Sequence, residues 1–294
     1  MRIRHTHTQN VRKMHTNTSS SSTIIGDPFR EGTLHYLGEN VGQNDYERSI
    51  IALLNVLGKF DADKHYAVWG FGAKYDGVLY KVFQCGENRL VSGISGVLET
   101  YRAQFRTGIT MADTPTAFAS VLRTGVAHSK KIARVHEKLG EMSYTILVVL
   151  SDSDVQDLED TGKVMDSASD APLSVIFVGI GETSDFRNMR FIDNDRQQRT
   201  LRDIAQFLQF NEFSRHSQKF TREALQEVPQ QAVDYFHARK VRPPPPPDVT
   251  DDEINILPAE DPIPLVIDFD KDFQPFVKEG GTEYHDIFTE LLDD

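Results

Sequence analysis

The chain has 294 residues, with 32 Lys+Arg against 44 Asp+Glu, a net charge of −12 and 39% hydrophobic residues, enough to support a core in one large domain or two small ones. No run approaches the ~20 apolar residues that a membrane span needs, and a single cysteine, Cys85, excludes an internal disulfide framework and a Cys-rich zinc module, so a reducing, cytoplasmic location is the expectation. The charge is uneven: from Asp248 onward there are 15 Asp+Glu against 2 Lys, a balance of −13 that leaves residues 1–247 at +1, so no basic domain argues for nucleic-acid binding.

Residues 1–26 open with MRIRHTHTQNVRKMHTNTSSSS, a basic and polar stretch without the apolar centre of a secretory signal, and read as a disordered segment. A globular pattern runs over 27–242. In YERSIIALLNVLGKF, Ile50, Leu53, Leu54 and Leu57 fall on one helical face. HYAVWGFGA (65–73) is a short aromatic and β-branched strand. It runs into GFGAK, which lacks the phosphate-loop spacing and reads as a glycine turn. Cys85 follows an apolar strand and reads as a small buried residue. Helices are expected over SGVLETYRAQF (95–105) and over TAFASVLRTGVAHSKKIARVHEKL (116–139), the latter amphipathic through Phe118, Leu122 and Val126. YTILVVL (144–150) reads as a strand and DLEDTGKVMDSAS (157–169) as a helix. LSVIFVGIG (173–181) is a continuous apolar strand of the kind buried on both faces. AQFLQF (205–210) is a last strand and REALQEVPQQAVDYFHARK (222–240) a helix. Strands alternating with helices of this length give an α/β fold, a mostly parallel sheet flanked by helices. Residues 243–294 follow: PPPPP (Pro243–Pro247), a stiff spacer with SH3 or WW contact as its other reading, then an acidic tail read as disordered. The tail's apolar patches, ILPAEDPIPLVIDFDKDFQPFV and YHDIFTELL, read as sticky or docking segments.

In sheets of this kind ligands bind beyond the carboxyl ends of the strands. There TILVVL opens straight into SDSDVQDLED. Two readings stand for these acids. They solvate and cap a loop, or they hold a cation. A hard divalent cation such as Mg²⁺ takes oxygen from carboxylates and hydroxyls. Asp152 at the strand end, Thr116 at the start of the long helix, and Asp154 and Asp157 close behind supply that chemistry. Against it, Asp157 is well placed to cap the helix starting near Leu158, and Thr116 is a candidate N-cap. No histidine is placed by motif beside Ser151 or Ser153, and His35, His65 and His128 read as surface or core residues, so an enzyme is not expected.

The stretch DPFREGTLHYLGENVGQNDYERSIIALLNVLGKFDADKHYAVWGFGAK resembles the von Willebrand factor A-type domain of the copine family. GISGVLETYR, PTAFASVL, LVVLSDSDVQDLEDT, APLSVIFVGIG, FIDND and EALQEVPQQAVDYF continue it in register, from about Gly26 to His237. The resemblance implies a Rossmann-like sheet with a metal-ion-dependent adhesion site (MIDAS) at its carboxyl edge. It also implies a calcium-responsive, membrane-associated adaptor whose A domain recruits protein partners. Thr116 corresponds to the family's metal-site threonine, and Asp152 to the aspartate of a Thr-Asp-Gly that here reads Ser151-Asp152-Ser153. Upstream the match fails: Ser20, Ser22 and Ile24 fall where the family has its first metal-site aspartate, threonine and serine.

No six-residue apolar run precedes Gly26, so the central first strand is expected to be missing or degenerate. Each buried backbone group left unpaired beside it would cost roughly 1–3 kcal/mol. Either Thr23-Ile24-Ile25 form a makeshift strand, or a shortened chain takes one from a partner. The resemblance therefore points to a non-enzymatic protein-binding adaptor with a degraded metal site, Mg or Ca at Thr116 and Asp152 being weakened or lost. It would have an unidentified protein partner, no direct membrane-binding segment, and a cytoplasmic place peripheral to the plasma membrane through partners. Nothing in the chain resembles the family's C2 domains, and one cysteine rules out the RING of its plant relatives. A RING-less scaffold or decoy related to those ubiquitin ligases is the alternative.

Overall fold

β-branched runs alternating with amphipathic segments fold into one sheet between two helical layers. The computed structural model describes residues 2–10, 28–38, 42–61, 63–75, 78–107, 109–111, 118–182, 185–194, 202–213 and 216–241, with the backbone alone for 2–10. In chain order the elements are β1 (Arg2–Asn10), α1 (Asp45–Leu57), β2 (His65–Tyr75), β3 (Val78–Gln84), β4 (Val91–Ser92), α2 (Gly93–Gln104), β5 (Ile109–Met111), α3 (Phe118–Lys138), β6 (Ser143–Ser151), α4 (Leu158–Ala168), β7 (Leu173–Gly179), α5 (Arg187–Asn194), β8 (Ala205–Gln209), a 3₁₀ turn (Phe210–Phe213), α6 (Ser217–Leu225) and α7 (Val228–Ala238). The sheet order is β3-β2-β1-β6-β7-β8, with β4 and β5 paired to β2 off that path. β2, β1, β6, β7 and β8 run parallel, whereas β3, β4 and β5 run antiparallel to β2.

Every residue of β6 and β7 is buried, as their continuous apolar runs predict for strands covered on both faces. Alternate side chains feed two cores. Ile146, Val148, Ile176 and Val178 pack with Leu53 and Leu57 of α1, Tyr101 of α2 and Phe220 of α6. Leu147, Val149, Val175 and Phe177 pack with Phe118 and Leu122 of α3, Met165 of α4 and Met189 of α5. The second layer closes tightly at Gly125 of α3, where a Cβ would stand 2.6 Å from Leu147 Cδ2. α1 starts at a capping box. Asn44 accepts from the Glu47 N–H and Glu47 accepts from the Asn44 N–H, each at 3.0 Å, and Glu47 also pairs with Arg102 of α2.

At the strand-start edge, Arg202 is buried and plugs a ring of acceptors. Its guanidinium donates to Ser169 O (3.2 Å), Ala171 O (2.7 Å), Leu173 O (3.0 Å), Gln231 O (2.9 Å) and Tyr144 Oη (2.7 Å). It also lies over the rings of Tyr144 and Tyr235. β6, β7 and α7 are thereby joined through one side chain.

One expectation is refined and two are corrected. First, the central position holds a strand that is degenerate, being mostly polar, rather than none; Thr23-Ile24-Ile25 lie outside the described residues. Arg2–Asn10, inside the stretch read as disordered, lies there, with Thr6 opposite both Ala67 of β2 and Leu147 of β6. Ladder hydrogen bonds are made by backbone groups whatever the side chains, so a polar segment satisfies both neighbours' N–H and C=O groups. Second, Gly70–Lys74 form no turn, and β2 continues to Tyr75. Gly72 has a φ of 70°, and a Cβ on Gly70 would stand 2.2 Å from the Phe83 ring, so the glycines let β3 cross closely. Third, 222–240 is not one helix: α6 ends at Leu225 and α7 begins at Val228, with Pro229 in its first turn. The boundaries at 26/27 and 242/243, Pro243–Pro247 and the acidic tail lie outside the described residues.

Candidate functional site

β6 ends at Ser151, whose hydroxyl donates to Ser153 O (2.8 Å) and accepts from Ser153 N–H (3.1 Å). This side-chain turn reverses the chain at the sheet edge and holds Asp152 only 2% exposed. Around it lies a buried layer of aromatic and polar groups. Tyr46, in the first turn of α1, and Tyr101 of α2 both have phenols raised well above the ordinary range. Burial is the main cause for each, and the negative charge of Asp152 adds to it. His35 stacks on Tyr46 with ring centroids 4.2 Å apart, and its Nδ1 is 2.7 Å from Tyr101 Oη. Burial lowers the His35 imidazole to about 3, so the ring is neutral at physiological pH. Asn44 Nδ2 donates to the same Tyr101 hydroxyl at 3.3 Å.

The acids that follow Asp152 are committed to helix starts. Asp154 Oδ2 accepts from Asn188 N–H (2.8 Å) and Oδ1 from Met189 N–H (3.0 Å), both in the first turn of α5. Asn188 Nδ2 returns a bond to Val155 O at 2.7 Å. Asp157 Oδ1 and Oδ2 accept from Phe118 N–H (3.1 Å) and Ala119 N–H (3.0 Å), the first two amides of α3. Asp157 stands at the N-cap of α4, as expected, but its side chain makes no bond to that helix's amides. It serves α3 instead, and Thr161 Oγ1 donates to it at 3.1 Å. Free N–H groups and the positive end of the helix dipole explain why carboxylates settle there.

Of the two expected metal residues, Asp152 sits at the carboxyl end of β6, and Thr116 lies outside the described residues, as do Ser20, Ser22 and Ile24. Among the described residues, no three His, Cys, Asp or Glu side chains gather to hold an ion. Asp154 and Asp157 are bonded to helix amides, and Ser151 and Ser153 to one another. Cys85 is buried, with its thiol pushed well up by burial, and Trp69 is core. The aromatic layer beneath Asp152 was not anticipated. Tyr46 lies four residues before Ile50 and extends the apolar stripe of α1 by one turn, which is the signal that finds it. No described helix is long and apolar enough to cross a membrane.

Residues 33–244 match the family model described as copine. The chain belongs to the copine family. This copine chain is 34% identical over 223 residues to Copine-C of Dictyostelium discoideum, a match covering 72% of the chain and 40% of that protein. It is 30% identical over 233 residues to Protein BONZAI 1 of Arabidopsis thaliana, covering 75% and 39%. The chain thus spans less than half the length of these curated relatives. Among solved structures, the copine domain is similar to a von Willebrand factor type A protein from Catenulispora acidiphila, with a TM-score of 0.40, 10% identity and coverage of 80% and 42%.

Proposed function

We propose that this copine domain is a non-enzymatic, cytoplasmic protein-binding adaptor whose carboxyl edge engages a protein partner and binds Mg²⁺ or Ca²⁺ weakly or not at all. The observation that carries this reading is the use of the acids after β6. Asp154 and Asp157 give their oxygens to the amides of α5 and α3, so that among the described residues of this loop Asp152 is the carboxylate at the family's metal position. A lone carboxylate beside neutral hydroxyls does not offset the dehydration of a small divalent ion. The protein partner is the constant part of the reading and the ion is its variable part. Any SH3 or WW contact at Pro243–Pro247 is a second, separate attachment. Calorimetric titration of the full chain with Mg²⁺ and with Mn²⁺ tests the weakened edge. No saturable heat is expected, and tight stoichiometric binding of either ion overturns it.

A further inference from the structure

The sheet ends in two edge strands, β3 and β8. An edge strand leaves one row of backbone N–H and C=O groups for solvent or for another chain, and proteins commonly cover or charge that row. β8 is covered. Asp203 Oδ1 accepts from the Ala205 N–H at 3.2 Å and Asp193 Oδ1 from the Phe207 N–H at 3.1 Å, so carboxylates take two amides of this strand. Arg190 of α5 lies over the Phe207 ring and donates to Gln209. A further strand finds that edge occupied.

β3 has no such cover among the described residues, and no described strand pairs on its outer side. Its sequence, VLYKVFQ, holds no proline and one charge, Lys81. Val78 is 56% exposed and Leu79 40%, although residues of this kind gain by burial. The pairing of Lys74 with Leu79 and of Gly70 with Phe83 puts Leu79, Lys81 and Phe83 on one face with Lys74. Lys74 and Phe83 line a cleft there with Gln104 of α2, Thr107 and Ile109.

The chemistry of this edge selects its partner. A second copy aligned antiparallel over all seven residues of β3 sets Lys81 opposite Lys81, and like charges directly opposite destabilise a strand pair. An acidic residue in that position reverses the sign of the interaction, and apolar residues two positions to either side cover Leu79 and Phe83. We propose that β3 is a docking edge on which an extended segment of another protein adds as a further strand, with glutamate or aspartate opposite Lys81 and apolar side chains opposite Leu79 and Phe83. Ladder bonds from the backbone hold the segment, and its alternate side chains select it. The docking does not depend on whether the carboxyl edge binds an ion.

Fluorescence anisotropy of the peptide fluorescein-Thr-Val-Thr-Glu-Thr-Val-Thr-amide, titrated with the full chain, tests this. Saturable binding is expected, with slower amide exchange over Val78–Gln84 in the complex. The fully N-methylated peptide keeps its side chains but has no ladder donors, and should bind at least about tenfold more weakly. The same peptide with lysine for glutamate should bind about fivefold more weakly. Lys81→Glu, at an exposed position, should reverse the preference between the glutamate and lysine peptides and leave Tm unchanged. No saturable binding at millimolar concentration, equal affinity for the N-methylated peptide, or exchange protection away from β3 overturns the proposal. So does a dimer in sedimentation that Leu79→Arg dissolves, which would give the edge to a second copy.

Discussion

Replacing Asp157 by alanine isolates the acid that fastens α3 to the loop after β6. The carboxylate accepts from Phe118 N–H at 3.1 Å, Ala119 N–H at 3.0 Å and Thr161 Oγ1 at 3.1 Å. Loss of a helix cap costs about 0.5–2 kcal/mol, and hydrogen bonds to a charged group about 1.5–3 kcal/mol each. Asp157 is half-buried, so water re-solvates the freed amides in part. The net loss should be about 2 kcal/mol, near the upper end for a cap. For a domain of about 200 residues that lowers Tm by about 4–8 °C. Asp157→Asn keeps one acceptor oxygen and loses the charge, and should fall roughly halfway. The assay is thermal unfolding followed by circular dichroism in EDTA, so that metal loading cannot contribute. A Tm within 1 °C of the parent for Asp157→Ala in EDTA would refute the capping role. A Tm deficit appearing only when Mg²⁺ is present would assign the carboxylate to an ion instead.

Arg202→Met leaves four backbone carbonyls and Tyr144 Oη without their shared donor, and should lower the urea unfolding free energy by about 3 kcal/mol or more. Arg202→Lys should recover little, because an ammonium cannot span that ring of acceptors, and a loss under 1 kcal/mol for Met would dismiss the plug. His35 has a folded pKa of about 3, lowered by burial, against about 6.5 unfolded, so the unfolded chain binds the extra proton between those values. Its contribution to stability is therefore present above pH 6.5 and lost on acidification towards pH 3, at roughly 1 kcal/mol per pH unit. Burial raises Asp193 to about 6 and Glu227 to about 7, and these carboxyls oppose the trend by binding protons in the fold as pH falls. Urea unfolding of the parent and His35→Phe between pH 7 and 4 separates the histidine from them. The parent should lose stability faster, and parallel curves would exclude His35 as the acid-sensitive group.

The parts of this fold that could be read from sequence are those whose burial is dense. β6 and β7 have both faces covered, so nearly every residue carries the signal, and α1 and α3 show their stripes because one side of each is wet. β1 could not be read in this way, because the bonds that admit it to the sheet belong to the backbone. The acidic run after Leu150 was visible as a feature but not as a role. The amides that use Asp154 and Asp157 lie 34 and 39 residues away in the chain. A carboxylate lowers the energy of a helix N-terminus for the same reason that it attracts a cation, since each presents positive charge. Residue type and spacing are therefore equally consistent with both, and only the position of the helices separates them. In this domain α3 and α5 both begin at the loop that leaves β6. The strand opens into acids because two helix starts converge there, while Asp152 stays buried at the strand end, where its charge adds to the burial that raises the phenols of Tyr46 and Tyr101.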